Sequence, residues 1–139
     1  MFKTILLGVD GSEHALKAAH VAGEMSRCMQ ADVWVVASFD PIPTYLGQPY
    51  LQDAIVARMQ QAEQVLQPAL DAVGETGTSV KSQILEGPPA EAILSVAEVR
   101  GVDLIIMGTR GLGRLSGLVL GSQSQKVVAH ASCPVLLVR

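Results

Sequence analysis

The sequence predicts an α/β protein, with a doubly wound, five-stranded parallel sheet in a single domain. Short runs of β-branched residues and leucine alternate with longer segments of helical periodicity, which is the pattern of parallel strands joined by helices. Four of the five short runs are almost continuously apolar, as strands buried on both faces are. The length of 139 residues fits one domain, which we place at 1–139.

Five segments are predicted to be strands: 3–9, 32–38, 79–85, 103–107 and 134–138. The third differs from the others because it alternates in polarity, with Lys81 and Gln83 on one face. A strand with one polar face belongs where that face meets solvent. We therefore expect the third strand at an edge of the sheet.

Four helices are predicted between the strands, at about 13–29, 51–73, 89–100 and 122–131. Ser12 is placed to cap the first helix, and Ser122 followed by Gln125 has the spacing of a capping box for the last. Residues 39–50 hold three of the seven prolines and no helical pattern. A stretch of this length is either a lid or a variable surface loop, and the residues leave both open.

The formal net charge is −3, but the charges are unevenly distributed. No Asp or Glu follows Asp103, whereas four cations do: Arg110, Arg114, Lys126 and Arg139. A local cationic site on an acidic protein favours a small anion as ligand. A protein that binds long nucleic acid would carry a basic balance over a whole face, so we expect no nucleic-acid partner.

The apolar runs fall short of the roughly 20 residues that a membrane-spanning helix needs. The first run stops at Asp10, which makes it too short for the core of a signal peptide. We therefore expect a cytoplasmic protein that does not bind a membrane. Cys28 and Cys133 lack metal-ligand spacing and are expected to be reduced, buried thiols.

Residues 107–127 contain five glycines and no carboxylate. Glycine lets a ligand approach the backbone, and Gly121-Ser122 at a helix start would point unpaired N–H groups at an anion. Arg110, Arg114 and Lys126 add positive charge nearby. The pattern favours a phosphate site, and the alternative is a flexible loop before an ordinary capped helix.

Two well-known phosphate motifs do not fit this stretch. The dinucleotide fingerprint needs a third glycine where this chain has Ser116, and it should follow the first strand instead of the fourth. A P-loop needs Gly-Lys-Ser/Thr, but Gly121 is followed by Ser122 and Gln123.

The spacing Gly108-x2-Gly111-x9-Gly121-Ser122 does fit a family signature. With it, the sequence resembles the ATP-binding branch of the universal stress proteins, whose signature is G-x2-G-x9-G-[S/T]. The resemblance covers nearly the whole chain, through ILLGVDGSEHALKAA near the start and DLIIMGTRGLGRLSGLVLGSQSQKVVAHASCPVLLVR at the end, while 39–78 matches only in pattern. It implies the strand order 3-2-1-4-5 and a homodimer.

The resemblance implies that two chains pair through the fifth strand, at Val135, Leu136, Leu137 and Val138. In the order 3-2-1-4-5 this strand lies at an edge, is apolar on both faces and carries no charge. An edge of that kind is open to pairing with another chain, and a two-fold axis would end the assembly at two.

The implied order also makes the first and fourth strands neighbours whose connections leave in opposite directions. Such a switch point opens a crevice at the carboxyl ends of the strands. The resemblance implies that ATP lies there, with its ribose and phosphates between Asp10-Gly11-Ser12 and residues 108–111, and adenine at the end of the second strand. The implied nucleotide contacts are Val9, Asp10, Val36, Ala37, Met107, Gly108, Arg110, Gly111, Gly113, Gly121, Ser122, Gln123 and Ser124.

Asp10 is expected to hold Mg²⁺ on the phosphates or to bind a ribose hydroxyl, and its alternative role is an Asx turn before the helix. Ser122 and Ser124 are expected to donate to phosphate oxygens. Gln123 departs from the family, which more often has an apolar residue at this position.

No catalytic residue is predicted. Asp10, Ser12 and His14 are too close in sequence at a helix start to converge on one substrate atom as a catalytic triad does. Because no general base is evident beside a γ-phosphate, fast hydrolysis is not implied.

We therefore expect an ATP-binding, homodimeric protein that acts as a regulator or sensor in the stress response and has an unidentified regulatory protein partner. One alternative is a slow ATPase or an autophosphorylating phosphotransferase. Another is a dimeric interaction scaffold without bound ATP.

Overall fold

The fold is a five-stranded sheet in which every neighbouring pair of strands is parallel. The structure is a computed structural model that describes residues 1–109 and 120–139. The strands are β1 (Thr4–Gly8), β2 (Asp32–Phe39), β3 (Val80–Glu86), β4 (Leu104–Gly108) and β5 (Val135–Val138). Their spatial order is β3-β2-β1-β4-β5, which confirms the predicted fold class and strand order.

Four α-helices connect the strands: α1 (Glu13–Met29), α2 (Tyr50–Val73), α3 (Pro89–Val99) and α4 (Ser122–His130). The helices α1 and α2 pack together on one face of the sheet, and α3 and α4 pack together on the other. Each predicted helix and strand lies within two residues of its observed bounds. Within the predicted 39–50 loop, Thr44–Leu46 form a short 3-10 helix.

The central strand β1 shows why the strand sequences are so apolar. Ile5 and Leu7 point into the core beneath α1 and α2, whereas Leu6 points into the core beneath α3 and α4. All three side chains are fully buried. Because both faces of the sheet are covered, alternation between polar and apolar residues is absent here.

The strand β3 lies at one edge of the sheet, as its polar pattern predicts. Lys81 is exposed and pairs in register with Trp34 of β2, and its ammonium lies 5.7 Å from the centre of the indole ring. The guanidinium of Arg100, which follows α3, lies 4.2 Å from the same ring. Two cations therefore lie against one half-buried tryptophan at this edge.

The helix starts agree with the sequence in one case and differ in another. Ser12 caps α1 as expected, because its hydroxyl accepts the N–H of Ala15 at 3.2 Å. The capping box predicted for α4 is wrong. Gly121 is the N-cap, Ser122 is already helical, and the Gln125 side chain instead donates to the carbonyl of Leu120.

The cysteines also differ in part from expectation. Both are free thiols, but Cys28 is exposed and Cys133 is half-buried. Cys28 lies in the last turn of α1, and the helix buries a different side, which includes Ala22 and Ser26. The expectation of two buried thiols is therefore wrong for Cys28, and Cys133 is only partly buried.

No helix in residues 1–109 or 120–139 is long and apolar enough to cross a membrane.

Candidate functional site

The candidate site lies where β1 and β4 end side by side. Leu7 of β1 pairs with Ile106 of β4, so the two strands reach the same edge of the sheet together. From that edge β1 leads into α1 on one face and β4 leads towards α4 on the other. This is a topological switch point, the position at which open α/β sheets bind ligands.

The turn after β1 is held by its own side chains. One carboxylate oxygen of Asp10 accepts the N–H of Ser12 at 3.0 Å, which is an Asx turn. Gly11 has a φ of +86°, a conformation that favours glycine. The Asx turn, which was the alternative role for Asp10, is therefore present. It fixes the half-buried side chain of Asp10 at the edge of the crevice.

A side-chain hydrogen bond joins the start of α1 to the end of β4. Nδ1 of His14 lies 2.8 Å from the hydroxyl oxygen of Thr109, which is itself buried. Sequence reasoning missed this pair, because the two residues are far apart in the chain and match no motif. It ties together the two connections that border the crevice.

Gly108 is required by this helix packing. A Cβ at Gly108 would lie 2.7 Å from Cβ of His14 and 3.0 Å from its carbonyl carbon. Such distances are too short for ordinary contact, so the first turn of α1 can pack on β4 only because this residue is glycine. One glycine of the motif thus has a packing role, whatever its role towards a ligand.

Two hydrogen bonds hold the start of α4 against the end of β4, and a third joins the end of β4 to β5. The N–H of Gly121 donates to the carbonyl of Thr109 at 2.7 Å, and the N–H of Thr109 donates to the carbonyl of Val138 at 2.9 Å. The hydroxyl of Ser124 donates to the carbonyl of Gly108 at 2.9 Å. Because a hydroxyl has one proton, the Ser124 side chain would have to break this bond to donate to a phosphate.

The structure gives Gln123 a role that its sequence position left open. Its side-chain carbonyl accepts the N–H of Ala90 at 2.9 Å, in the first turn of α3. It therefore joins α4 to α3, which explains a polar residue where the family more often has an apolar one.

The N-terminus of α4 differs from those of α1 and α3 and is similar to that of α2, where no described side chain caps the helix either. Side-chain oxygens satisfy amides at the starts of α1 and α3, but among the described residues no side chain caps α4. Its first helical bond runs from the N–H of Gln125 to the carbonyl of Gly121. The preceding amides, those of residues 122–124, are donors at the positive end of the helix dipole.

The residues expected around adenine are buried, but β2 continues to Phe39, so Val36 and Ala37 lie within this strand, level with the end of β1. Val36 packs beneath α3 and α4, whereas Ala37 packs beneath α1 and α2, so their side chains point to opposite faces of the sheet. Val9 and Met107 are also buried, and the N–H of Val9 donates to the carbonyl of Val36. An adenine ring on one face of the sheet can therefore contact Val36 or Ala37, but not both.

Three expected contacts, Arg110, Gly111 and Gly113, lie outside the described residues. Ser122 is exposed at the start of α4, while Gly121 is half-buried. In the part of the chain that the structure describes, no cluster of three or more His, Cys, Asp or Glu residues could hold a metal ion.

The chain matches the sequence model of the Universal stress protein family over residues 1–139. It is 50% identical, over the full length of both chains, to the "Universal stress protein in QAH/OAS sulfhydrylase 3'region" of Thermus aquaticus.

Solved structures show the same fold. Universal stress protein UspA from Lactobacillus plantarum superposes with a TM-score of 0.86 at 27% identity, covering 99% of this chain and 98% of that one. The universal stress protein from Archaeoglobus fulgidus, solved in complex with dAMP, superposes with a TM-score of 0.71 at 20% identity, covering 100% of this chain and 98% of that one. The full-length family match and the close relative agree, and the chain belongs to the universal stress protein family.

Proposed function

We propose that this protein binds ATP at the β1–β4 switch point and acts in the cytoplasm as a homodimeric regulator or sensor in the stress response. The observation that carries the proposal is the N-terminus of α4. Its first amides lack a side-chain cap among the described residues, and hydrogen bonds to Gly108 and Thr109 hold this helix start at the end of β4. A helix end of this kind binds phosphate through its N–H groups and its dipole.

In the proposed complex the phosphates lie at Gly121 and Ser122, the last two residues of the G-x2-G-x9-G-[S/T] motif. Adenine lies next to Val36 or Ala37 of β2, level with the end of β1. The dAMP complex of the Archaeoglobus fulgidus protein supports an adenine ligand for this fold. We assign binding roles to Gln123 and Ser124 through their backbone amides, because both side chains are engaged elsewhere.

The residues present fit a Mg²⁺ ion that arrives with the nucleotide. Mg²⁺ is usually held by one or two carboxylates together with phosphates and waters, not by a cage of protein ligands. Asp10 supplies one half-buried carboxylate at the crevice. The ion would neutralise phosphate charge there.

The homodimer is proposed to form through β5. This strand lies at an edge of the sheet, and each residue of Val135–Val138 is only half-buried within one chain. Antiparallel pairing of two β5 strands would satisfy their free backbone groups and cover this apolar edge.

Mass spectrometry of ligand released from the purified protein tests the nucleotide proposal. We expect ATP, or its product ADP, at close to one per chain. Protein that carries no adenine nucleotide and takes up none from solution would instead support the interaction scaffold. Product formation over hours, measured on the loaded protein, separates a stable ATP complex from a slow ATPase.

A further inference from the structure

A second cavity lies between α1 and α2, with a volume of about 340 Å³. At its lower end the two helices touch, because Gly23 packs directly on the backbone of Val73 with no room for a Cβ. About two helical turns before Gly23, near the start of α1, a gap separates α1 from α2. The turn after β1 closes the top of this gap.

This cavity adjoins the proposed nucleotide site at the turn after β1 and extends away from it between α1 and α2. Its walls come from the end of β1, the start of α1 and the middle of α2, all on one side of the sheet. No described residue of β4 or α4 lines it, whereas Gly121 and Ser122 border the crevice on the other side. Among the described residues, the proposed nucleotide contacts Val9 and Asp10 also line this cavity, as do Gly11 and Ser12 of the same turn.

The deep walls of the cavity are apolar. Val9, Ala15 and Ala69 line it and are almost fully buried, and Val65 lies beside them. Small side chains at 15 and 69 leave space that larger residues would fill. The volume lies at the lower end of the range of about 300–1,000 Å³ for ligand pockets, which suits one ring with a short side chain.

The polar groups of the cavity combine one carboxylate with amides that both donate and accept. Asp10 contributes a carboxylate, and Gln61 and Gln64 contribute side-chain amides. Pro68 also lines the cavity within α2 and has no N–H, so the carbonyl of Gln64 receives no helical hydrogen bond from it. None of the described lining residues is Lys, Arg or His, so the fixed charge of the described walls is negative.

We propose that the α1–α2 cavity is a binding site for a small primary amine with a compact apolar body. The ammonium group donates to Asp10 and the neighbouring acceptors, and the apolar body packs against Ala15 and Ala69. A carboxylate ligand of the same shape is repelled by Asp10. The site shares Val9 and Asp10 with the proposed nucleotide site, and its other walls come from α1, α2 and the turn after β1.

Phenethylamine is a suitable probe, with 2-phenylethanol and phenylacetate as neutral and anionic counterparts of similar shape. Titrations followed by the backbone amide resonances of Ala15 and Ala69 measure binding at the cavity itself. We expect the amine to bind about tenfold more tightly than the alcohol, and the acid to bind most weakly. Equal binding of acid and amine, or no change in these resonances with any probe, would overturn the proposal.

Two variants locate the site. Gln64→Trp places a large ring at the mouth and should abolish amine binding, whereas Gln60→Trp, at an exposed position of α2 outside the cavity, should leave it unchanged. Asp10→Asn should remove the preference for amine over alcohol without removing the residual binding of the ring. Full amine affinity in a folded Gln64→Trp variant, or an unchanged preference in Asp10→Asn, would refute the assignment.

Discussion

Gly108→Ala tests whether a glycine of the nucleotide motif serves the packing of the protein itself. The added Cβ would lie 2.7 Å from Cβ of His14 and 3.1 Å from the backbone nitrogen of Ala15. The first turn of α1 would have to move by several tenths of an ångström, and backbone atoms are among those in the way. Overpacking of this kind costs about 1–3 kcal/mol, which we expect as the loss in the free energy of unfolding.

Gly121→Ala is the matched control for this prediction. Gly121 has φ −70° and ψ 159°, an extended conformation that any residue adopts, so the same change there carries no backbone strain. Urea unfolding followed by circular dichroism gives both values under one condition. If Gly108→Ala were as stable as the wild type, the close packing of α1 on β4 would be wrong.

Three further predictions concern other parts of the molecule. Thr109→Val removes the hydroxyl that pairs with His14 and should lower the free energy of unfolding by roughly 0.5–1.5 kcal/mol, measured by urea titration. An unchanged free energy of unfolding would show that this hydrogen bond contributes nothing to stability. Burial and then the Asp103 charge raise the pKa of the Cys133 thiol, so its reactive thiolate is scarcer at neutral pH and appears as pH rises. Iodoacetamide followed by peptide mass analysis at pH 7 should therefore label the exposed Cys28 before Cys133, and the opposite order would contradict the structure. Leu137→Glu should convert the proposed dimer to monomer or aggregate, measured by light scattering, whereas Lys81→Ala should leave the dimer intact. A dimer in both variants would place the interface away from β5.

The architecture could be predicted because its signals are local. Continuous apolar runs such as Ile5–Leu7 arise wherever both faces of a strand are covered, and the helical segments between them repeat their apolar residues with the helical period. The edge position of β3 could likewise be predicted from its alternating polarity. The strand order itself came from the family resemblance, and the structure confirms it.

The candidate site could be predicted less completely, because its contacts join distant parts of the chain. No local pattern pairs His14 with Thr109, or Gln123 with the start of α3. The spacing of Ser122 and Gln125 fits a capping box, but the preceding glycine takes the N-cap position and shifts the helix start by one residue. The nucleotide contacts themselves remain predictions.

Titration calorimetry with ATP, comparing the wild type with Gly121→Val, tests the central claim most directly. A valine side chain at the start of α4 would occupy the place proposed for the phosphates, so the affinity should fall by about tenfold or more in a protein that still folds. Ala129→Val, at an exposed position further along the same helix, should bind ATP like the wild type. Unchanged affinity in a folded Gly121→Val protein would contradict a phosphate site at the N-terminus of α4.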